Sequence, residues 1–247
     1  MRLTPAPIGG AVVPHAPLLL PELNSDEVAE SALRIRTTCA DIHFEGADAV
    51  VVLSPHARAS CVYASARGSL DGFGVAGASV DATTDEVLAR ALAEAWGVPL
   101  VDEPADHGVV VALRLLEGLG APVVAAGVGE TRSDAREQAS AFARAASSLA
   151  EDRAIAFVAS ANSSAGLSPR GPLMELPGAV DVERRTLEAL DSDASALVEL
   201  GEDLGRIGGS CGSGPLIAFG HLLGGRRSEL LCYEAPVGVG YPVAIAR

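Results

Sequence analysis

Asp48-Ala49-Val50-Val51-Val52-Leu53-Ser54-Pro55-His56 is the stretch on which the fold reading turns. Ala49–Leu53 is an unbroken aliphatic run with no polar side to offer solvent, as expected of a strand covered on both faces of a sheet. Pro55 and His56 then follow at the point where such a strand ends, and strand ends are where a rigid sheet presents chemistry.

Working outward, Ile8–Val13, Pro99–Val101, Pro122–Gly127 and Ile155–Ser160 read as further strands. Between them lie helical patterns: one led by Ser25 as N-cap with Val28, Ala32, Ile35 and Thr38 on a face, then Thr84–Trp96, His107–Leu119 and Ser133–Ala150. Asp85 and Glu86 suit a first helical turn, Gly97 a helix end, and Asp106 an N-cap. Leu18–Leu23 carries Pro17 and Pro21 around it and within it and reads as a loop, and Cys61–Ala66 with Phe73–Val75 as a hairpin or meander. Asp181–Leu190 and Ala194–Leu204 are predicted helices, Pro215–Leu223 an apolar one, and Leu230–Tyr233 with Val237–Ile245 a closing pair of strands around Pro236. Strands alternating with helices predict an α/β fold: one domain over 1–247, a three-layer α/β/α sandwich whose mixed central sheet is mostly parallel with an antiparallel tail.

The composition agrees. The chain has 247 residues, 49% of them hydrophobic, with a mean hydropathy of +0.30, enough for a large core and contrary to disorder. All 18 basic residues are Arg, against 32 acidic ones, for a formal net charge of −14. That balance opposes nucleic acid or an anionic membrane surface as partner. Pro5, Pro7, Pro14 and His15 break up any signal-peptide core, no apolar run is long enough for a bilayer, and Cys39, Cys61, Cys211 and Cys232 form no CxxC pair. These features predict a cytoplasmic protein with reduced thiols.

Three of the five histidines stand in conspicuous places: Val13-Pro14-His15-Ala16-Pro17, Ser54-Pro55-His56 and Asp106-His107-Gly108. Proline beside His15 and His56 fixes the local backbone and so aims the rings at little entropic cost. Two neutral imidazoles plus an oxygen ligand is the arrangement that suits non-heme Fe(II). The plainer reading makes each a loop histidine bonded to backbone. His107, at a helix N-terminus, would be held neutral by the helix dipole and free to exchange a proton or orient a ligand, or else simply pack beside the Asp106 cap. His43 reads as a residue at a helix C-terminus and His221 as a satisfied core histidine. Cys211 is either a small buried thiol or, as thiolate, a metal ligand. Tyr233 and Tyr241 read as sheet packing. Gly208–Gly214 lacks the Lys-Ser/Thr ending of a phosphate loop and reads as a tight turn.

Taken in order, Val13-Pro14-His15-Ala16-Pro17-Leu18-Leu19 with Pro21-Glu22, Val51–His56, Asp106-His107-Gly108, Ala159–Ser164, Ser210-Cys211-Gly212 with Pro215, and Gly238-Val239-Gly240-Tyr241 resemble the catalytic (beta) subunit of class III extradiol ring-cleavage dioxygenases. More distantly the chain resembles the Memo-like proteins. The resemblance implies Fe(II) held by two histidines and a glutamate, and a small catechol-type aromatic substrate opened by O₂. It places His15 and His56 on the metal, His107 in a catalytic role, and Asp106, Asn162 and Ser164 in the substrate pocket. Two positions depart from it. Ala165 stands where many relatives carry an acid/base histidine, and alanine moves no proton. Ser210 stands near where a glutamate would complete the iron site, which leaves Glu22, Asp106 and Glu202 as substitute carboxylates. Memo-like proteins carry a cysteine in this region, so a His15/His56/Cys211 site is the other arrangement, and softer ligands of that kind favour zinc or copper.

Three functions follow as expectations: a metal-dependent ring-cleaving oxidoreductase, a metal-binding or pocket protein that keeps the scaffold without ring cleavage, or a subunit that works through a partner chain. The sequence leaves room for a homo-oligomer and also for a protein with no cofactor at all.

Overall fold

A computed structural model describes residues 9–129 and 135–247. Ile8, Ser133 and Asp134 of the predicted elements, and Pro5 and Pro7, lie outside them. The strands are β1 (Gly9–Val13), β2 (Ala49–Ala57), β3 (Cys61–Tyr63), β4 (Ala66–Ser69), β5 (Ser79–Ala82), β6 (Leu100–Val101), β7 (Val123–Gly129), β8 (Ile155–Ser160), β9 (Ser228–Glu234) and β10 (Tyr241–Ala246). The helices are α1 (Ala29–Ala40), α2 (Glu86–Trp96), α3 (His107–Leu115), α4 (Ala135–Leu149), α5 (Ala179–Leu190), α6 (Ala196–Leu200), α7 (Glu202–Arg206) and α8 (Ser213–Leu223).

Eight strands form one sheet in the order β6-β3-β7-β2-β8-β1-β10-β9, and β4 pairs with β5 in a separate ribbon. Four of the seven strand pairs in the large sheet are parallel, and β10 and β9 supply the antiparallel tail. The α/β sandwich with a mostly parallel mixed sheet is therefore present. Side chains alternate across it, because neighbouring strand residues point to opposite faces. Val51, Leu53, Val124, Ala126 and Phe157 pack toward α2, α4 and α8. Val50, Val52, Ala125, Ala156 and Val158 pack toward α1 and α3. Trp96, Phe142, Phe157 and Phe219 make a line of ring contacts through the first of these cores, with centroids 5.1, 5.6 and 6.3 Å apart.

The parallel register sets up the site. Leu53 is level with Ala159, and Ala159 with Val12, so Ser54, Ser160 and Val13 share one line across the sheet; β1 and β8 end on it, whereas β2 runs on to Ala57, which puts His56 within its strand rather than past its end. His56, Asn162 and His15 each lie two residues past that line. The strands bearing the two histidines are not adjacent, since β8 runs between β1 and β2, yet both open onto the same edge.

Several local expectations fail for identifiable reasons. Leu18–Leu23 folds into two 3-10 turns, Pro17–Leu19 and Pro21–Leu23, each begun by proline. Helix α1 starts at Ala29 with Val28 in the cap position; Ser25 instead accepts the Val28 N–H through its own carbonyl in a preceding turn. The expected hairpin over 61–75 separates, because β3 joins the large sheet while β4 pairs with β5, and Phe73 sits on a 3-10 turn between them. The predicted helix 194–204 breaks into α6 and α7 at Gly201, whose φ of 47° takes it out of helical space. His221 is corrected from core to surface: it faces out from α8 and its Nε2 lies 2.8 Å from Ser140 Oγ. His43 lies beyond the end of α1 and is exposed.

Candidate metal centre

Helix α3 is anchored to the strand ends before it contributes anything. Asp106 caps it, accepting from the Gly108 and Val109 N–H groups at 2.8 and 3.4 Å. The same carboxylate accepts Ser54 Oγ at 2.5 Å and the Tyr63 hydroxyl at 2.9 Å, and Ser160 Oγ donates to the Gly108 carbonyl at 2.8 Å. A cap of this type contributes about 1 kcal/mol to helix stability. Only glycine fits at 108, where a Cβ would stand 2.3 Å from Ser54 Oγ. Asp106 is thus committed to structure rather than open to a ligand, and it fixes His107 in place.

On the other side, the glycine turn before α8 presses onto the end of β8. A Cβ at Gly212 would lie 2.6 Å from Ala161 Cβ, so glycine is what lets Cys211 approach the strand ends. The outcome is a cluster drawn from three distant parts of the chain. His15 Nε2 lies 3.2 Å from Cys211 Sγ and 3.0 Å from His56 Nε2. The three donor atoms all fall within 4.8 Å of one another. Tetrahedral zinc, with bonds of about 2.0–2.1 Å to nitrogen and 2.3 Å to sulfur, needs donors roughly 3.3–3.7 Å apart. Two of the donor pairs stand close to that spacing, and the third, within 4.8 Å, would have to draw in by on the order of 1 Å for one cation to hold all three.

The electrostatics favour the ligand form of the two imidazoles and oppose that of the thiol. Burial, and then the charges of His56 and His107, hold His15 well below the ordinary histidine value, with a backbone contact from Ser160 opposing. Burial lowers His56 as well, against the pull of Asp106. Neutral imidazoles are the metal-binding form. Burial raises the Cys211 thiol, while the Asn162 amide and the backbone of Cys211, Asn162 and Gly212 work the other way by hydrogen bonding to sulfur.

Asn162, expected in the substrate pocket, ties the ligands together. Its Oδ1 accepts the His15 N–H at 3.2 Å, its Nδ2 reaches Cys211 Sγ at 3.8 Å, and its carbonyl accepts Ser210 Oγ at 2.8 Å. Ser164 is fully buried, with its hydroxyl donated to the Gly208 carbonyl, so it braces the same loop. His107 is half-buried beside the cluster, its ring centroid 4.1 Å from that of His56 and 6.0 Å from that of His15. Among the described residues no carboxylate joins the three donors. Glu22 is paired with Arg114 at 2.6 Å, and Glu202 is exposed on α7.

Open space adjoins the centre on two sides. A cavity of about 240 Å³ is lined by His56, Ser210, Cys211, Ser213 and Pro215, and one of about 550 Å³ by His56, Arg58, Tyr63, Glu103 and Asp106. Two residues escaped the sequence reading. Phe73, 48% exposed, meets the His107 ring edge-on at 5.1 Å. Glu183, only 4% exposed, accepts Ser163 Oγ at 2.6 Å behind the Asn162 loop. For Glu183 a signal existed: it shares a helical face with Thr186 and Leu190, at i+3 and i+7.

No protein-family model matches the chain, and no curated protein does. A solved structure, the uncharacterized protein JW3007 from Escherichia coli K12, is similar over 96% of this chain and 98% of that one, at 18% sequence identity and a TM-score of 0.56. That likeness is one of fold. Among the described residues no helix is long and apolar enough to cross a membrane.

Proposed function

We propose that this chain is a metal-binding protein on an extradiol-dioxygenase-like scaffold, with His15, His56 and Cys211 holding one zinc or copper ion and a small substrate entering beside His56 and His107. The convergence of two imidazole nitrogens and one sulfur within 4.8 Å carries this reading. Thiolate beside imidazole suits zinc or copper better than an oxygenase iron, which takes two histidines and a carboxylate. A bound zinc would supply Lewis-acid polarisation, and copper one-electron chemistry. The chain's own part is to hold the ligands through Asn162 and the Asp106 cap, and to set the His107 imidazole within reach of a bound molecule. Metal analysis of the purified protein tests the reading: about one equivalent of zinc or copper is expected, lost in His15→Ala and Cys211→Ser. Stoichiometric metal that survives both substitutions would remove it.

Ring opening of a small catechol with Fe(II) and O₂ is the second reading, favoured by His107 beside the donors and by the edge of Phe73 there for a flat substrate to meet. Ala165 and the absent carboxylate count against it. Anaerobic loading with Fe(II), then catechol and O₂, decides between the two: a yellow ring-fission product requires the second reading, and its absence from iron-loaded protein leaves the first.

A further inference from the structure

A cavity of about 580 Å³ lies apart from the metal centre, between α5 and β9. Such a volume accommodates a small organic ligand. Its walls are mainly apolar, with Leu167, Val180, Leu187 and Leu230 among them, and Glu183 and Tyr233 also line it. Glu183 is the anomaly. One carboxyl oxygen accepts Ser163 Oγ at 2.6 Å; the other, Oε2, is buried and accepts no hydrogen bond of ordinary geometry. Burial raises the Glu183 pKa, against hydrogen bonding from Ser163 and, more loosely, from the Tyr233 phenol. A buried carboxyl with an unused oxygen is costly unless something pairs with it.

The charges around the cavity indicate what that something is. Glu188 and Asp191 also line it, and the lone cation there, Arg184, is already held by Asp181 and Glu188 at 2.5 and 2.6 Å. A ligand entering this space meets an uncompensated acidic group at the end of an apolar wall. An ammonium group would give Glu183 the countercharge it lacks and Oε2 a well-aligned donor, an interaction about twice as strong as a neutral hydrogen bond.

We propose that this cavity is a binding site for a small apolar amine, with its ammonium on Glu183 and its hydrocarbon part against Leu187 and Leu230. The site stands independently of the metal centre. Benzylamine is a suitable probe and benzyl alcohol its neutral counterpart, titrated calorimetrically into the full chain with EDTA present, so that the amine cannot be read through a metal. Benzylamine should bind at least roughly tenfold more tightly than benzyl alcohol, and Glu183→Gln, which keeps an acceptor for Ser163, should abolish that margin. Val180→Arg places a cation on an exposed wall of the cavity and makes no demand on the core. It should weaken benzylamine several-fold and leave benzyl alcohol unchanged, and it carries the test should the Gln variant fail to fold. Equal binding of the two probes, binding of neither at millimolar concentration, or benzylamine affinity unmoved by the folded variants would overturn the proposal.

Discussion

Asn162 touches two of the three proposed ligands, and its two side-chain atoms do different work. Oδ1 fixes the backbone of His15, and Nδ2 supports the Cys211 sulfur. Asn162→Asp keeps an acceptor for His15 and places negative charge against the sulfur, while Asn162→Ala removes both contacts. Losing such a supporting partner typically costs 10–100-fold in metal affinity. Both variants should fall in about that range in a competitive zinc titration, with the Asp form showing the larger shift of the sulfur charge-transfer band in cobalt-loaded protein. Glu183 makes a different prediction. Its folded pKa is raised by burial above the unfolded value, so its contribution is fully present at pH below the ordinary carboxylate range and is lost as pH rises through the folded value. Urea midpoints measured from pH 4 upward, in metal-free protein, should fall with pH more steeply for the native chain than for Glu183→Gln. Parallel curves would show that the carboxyl does not titrate across that range. The bridging role of Asn162 was not readable in the sequence, and for Glu183 only its place on a buried helical face was. Asn162 sits in a run of small polar residues, and Asp181-Val182-Glu183-Arg184-Arg185 has charge on every side.

Two glycines do at the level of elements what the ligands do at the level of side chains. Gly108 lets α3 close on β2, and Gly212 lets the start of α8 close on the end of β8. Gly212→Ala sets a Cβ 2.6 Å from that of Ala161, and relief requires the turn to back away and carry Cys211 with it. Overpacking of this kind costs typically 1–3 kcal/mol. A lower urea midpoint together with weaker zinc binding is the expected result, and unchanged zinc affinity would mean that the turn moves without the sulfur. The long apolar runs were readable because burial on both faces leaves a strong mark: β7 and β8 fall within two residues of expectation at each end, and β2 begins where expected but runs four residues further, to Ala57. Turn-level detail was not. Nothing local distinguishes Gly201, which breaks a helix, from Gly205, which continues one, since tertiary packing decides. The same limit explains His221. Leu216–Leu223 is apolar enough to bury a whole helix, and a lone outward position within it leaves no trace.

The three donors come together only when the sheet is complete, so the proposed metal would be linked to folding. Zinc at a hundred times its dissociation constant would stabilise the native state by about 2.7 kcal/mol. For a chain of this size that raises the melting temperature by roughly 5–10 °C. Differential scanning calorimetry should show that rise for the native protein and not for Cys211→Ser. Assembly of that sheet, unlike its stability, depends on the order in which parts of the chain become available. In the sheet, β1 lies between β8 and β10 and pairs with no other strand. Of the described strands β1 is made before the others, but its first pairing partner, β8, emerges only some 140 residues later. Until then a fully apolar segment, with His15 just behind it, has no sheet to join. The earliest of the described strands is therefore the one that waits longest, and a chaperone that shields exposed backbone would have its use there.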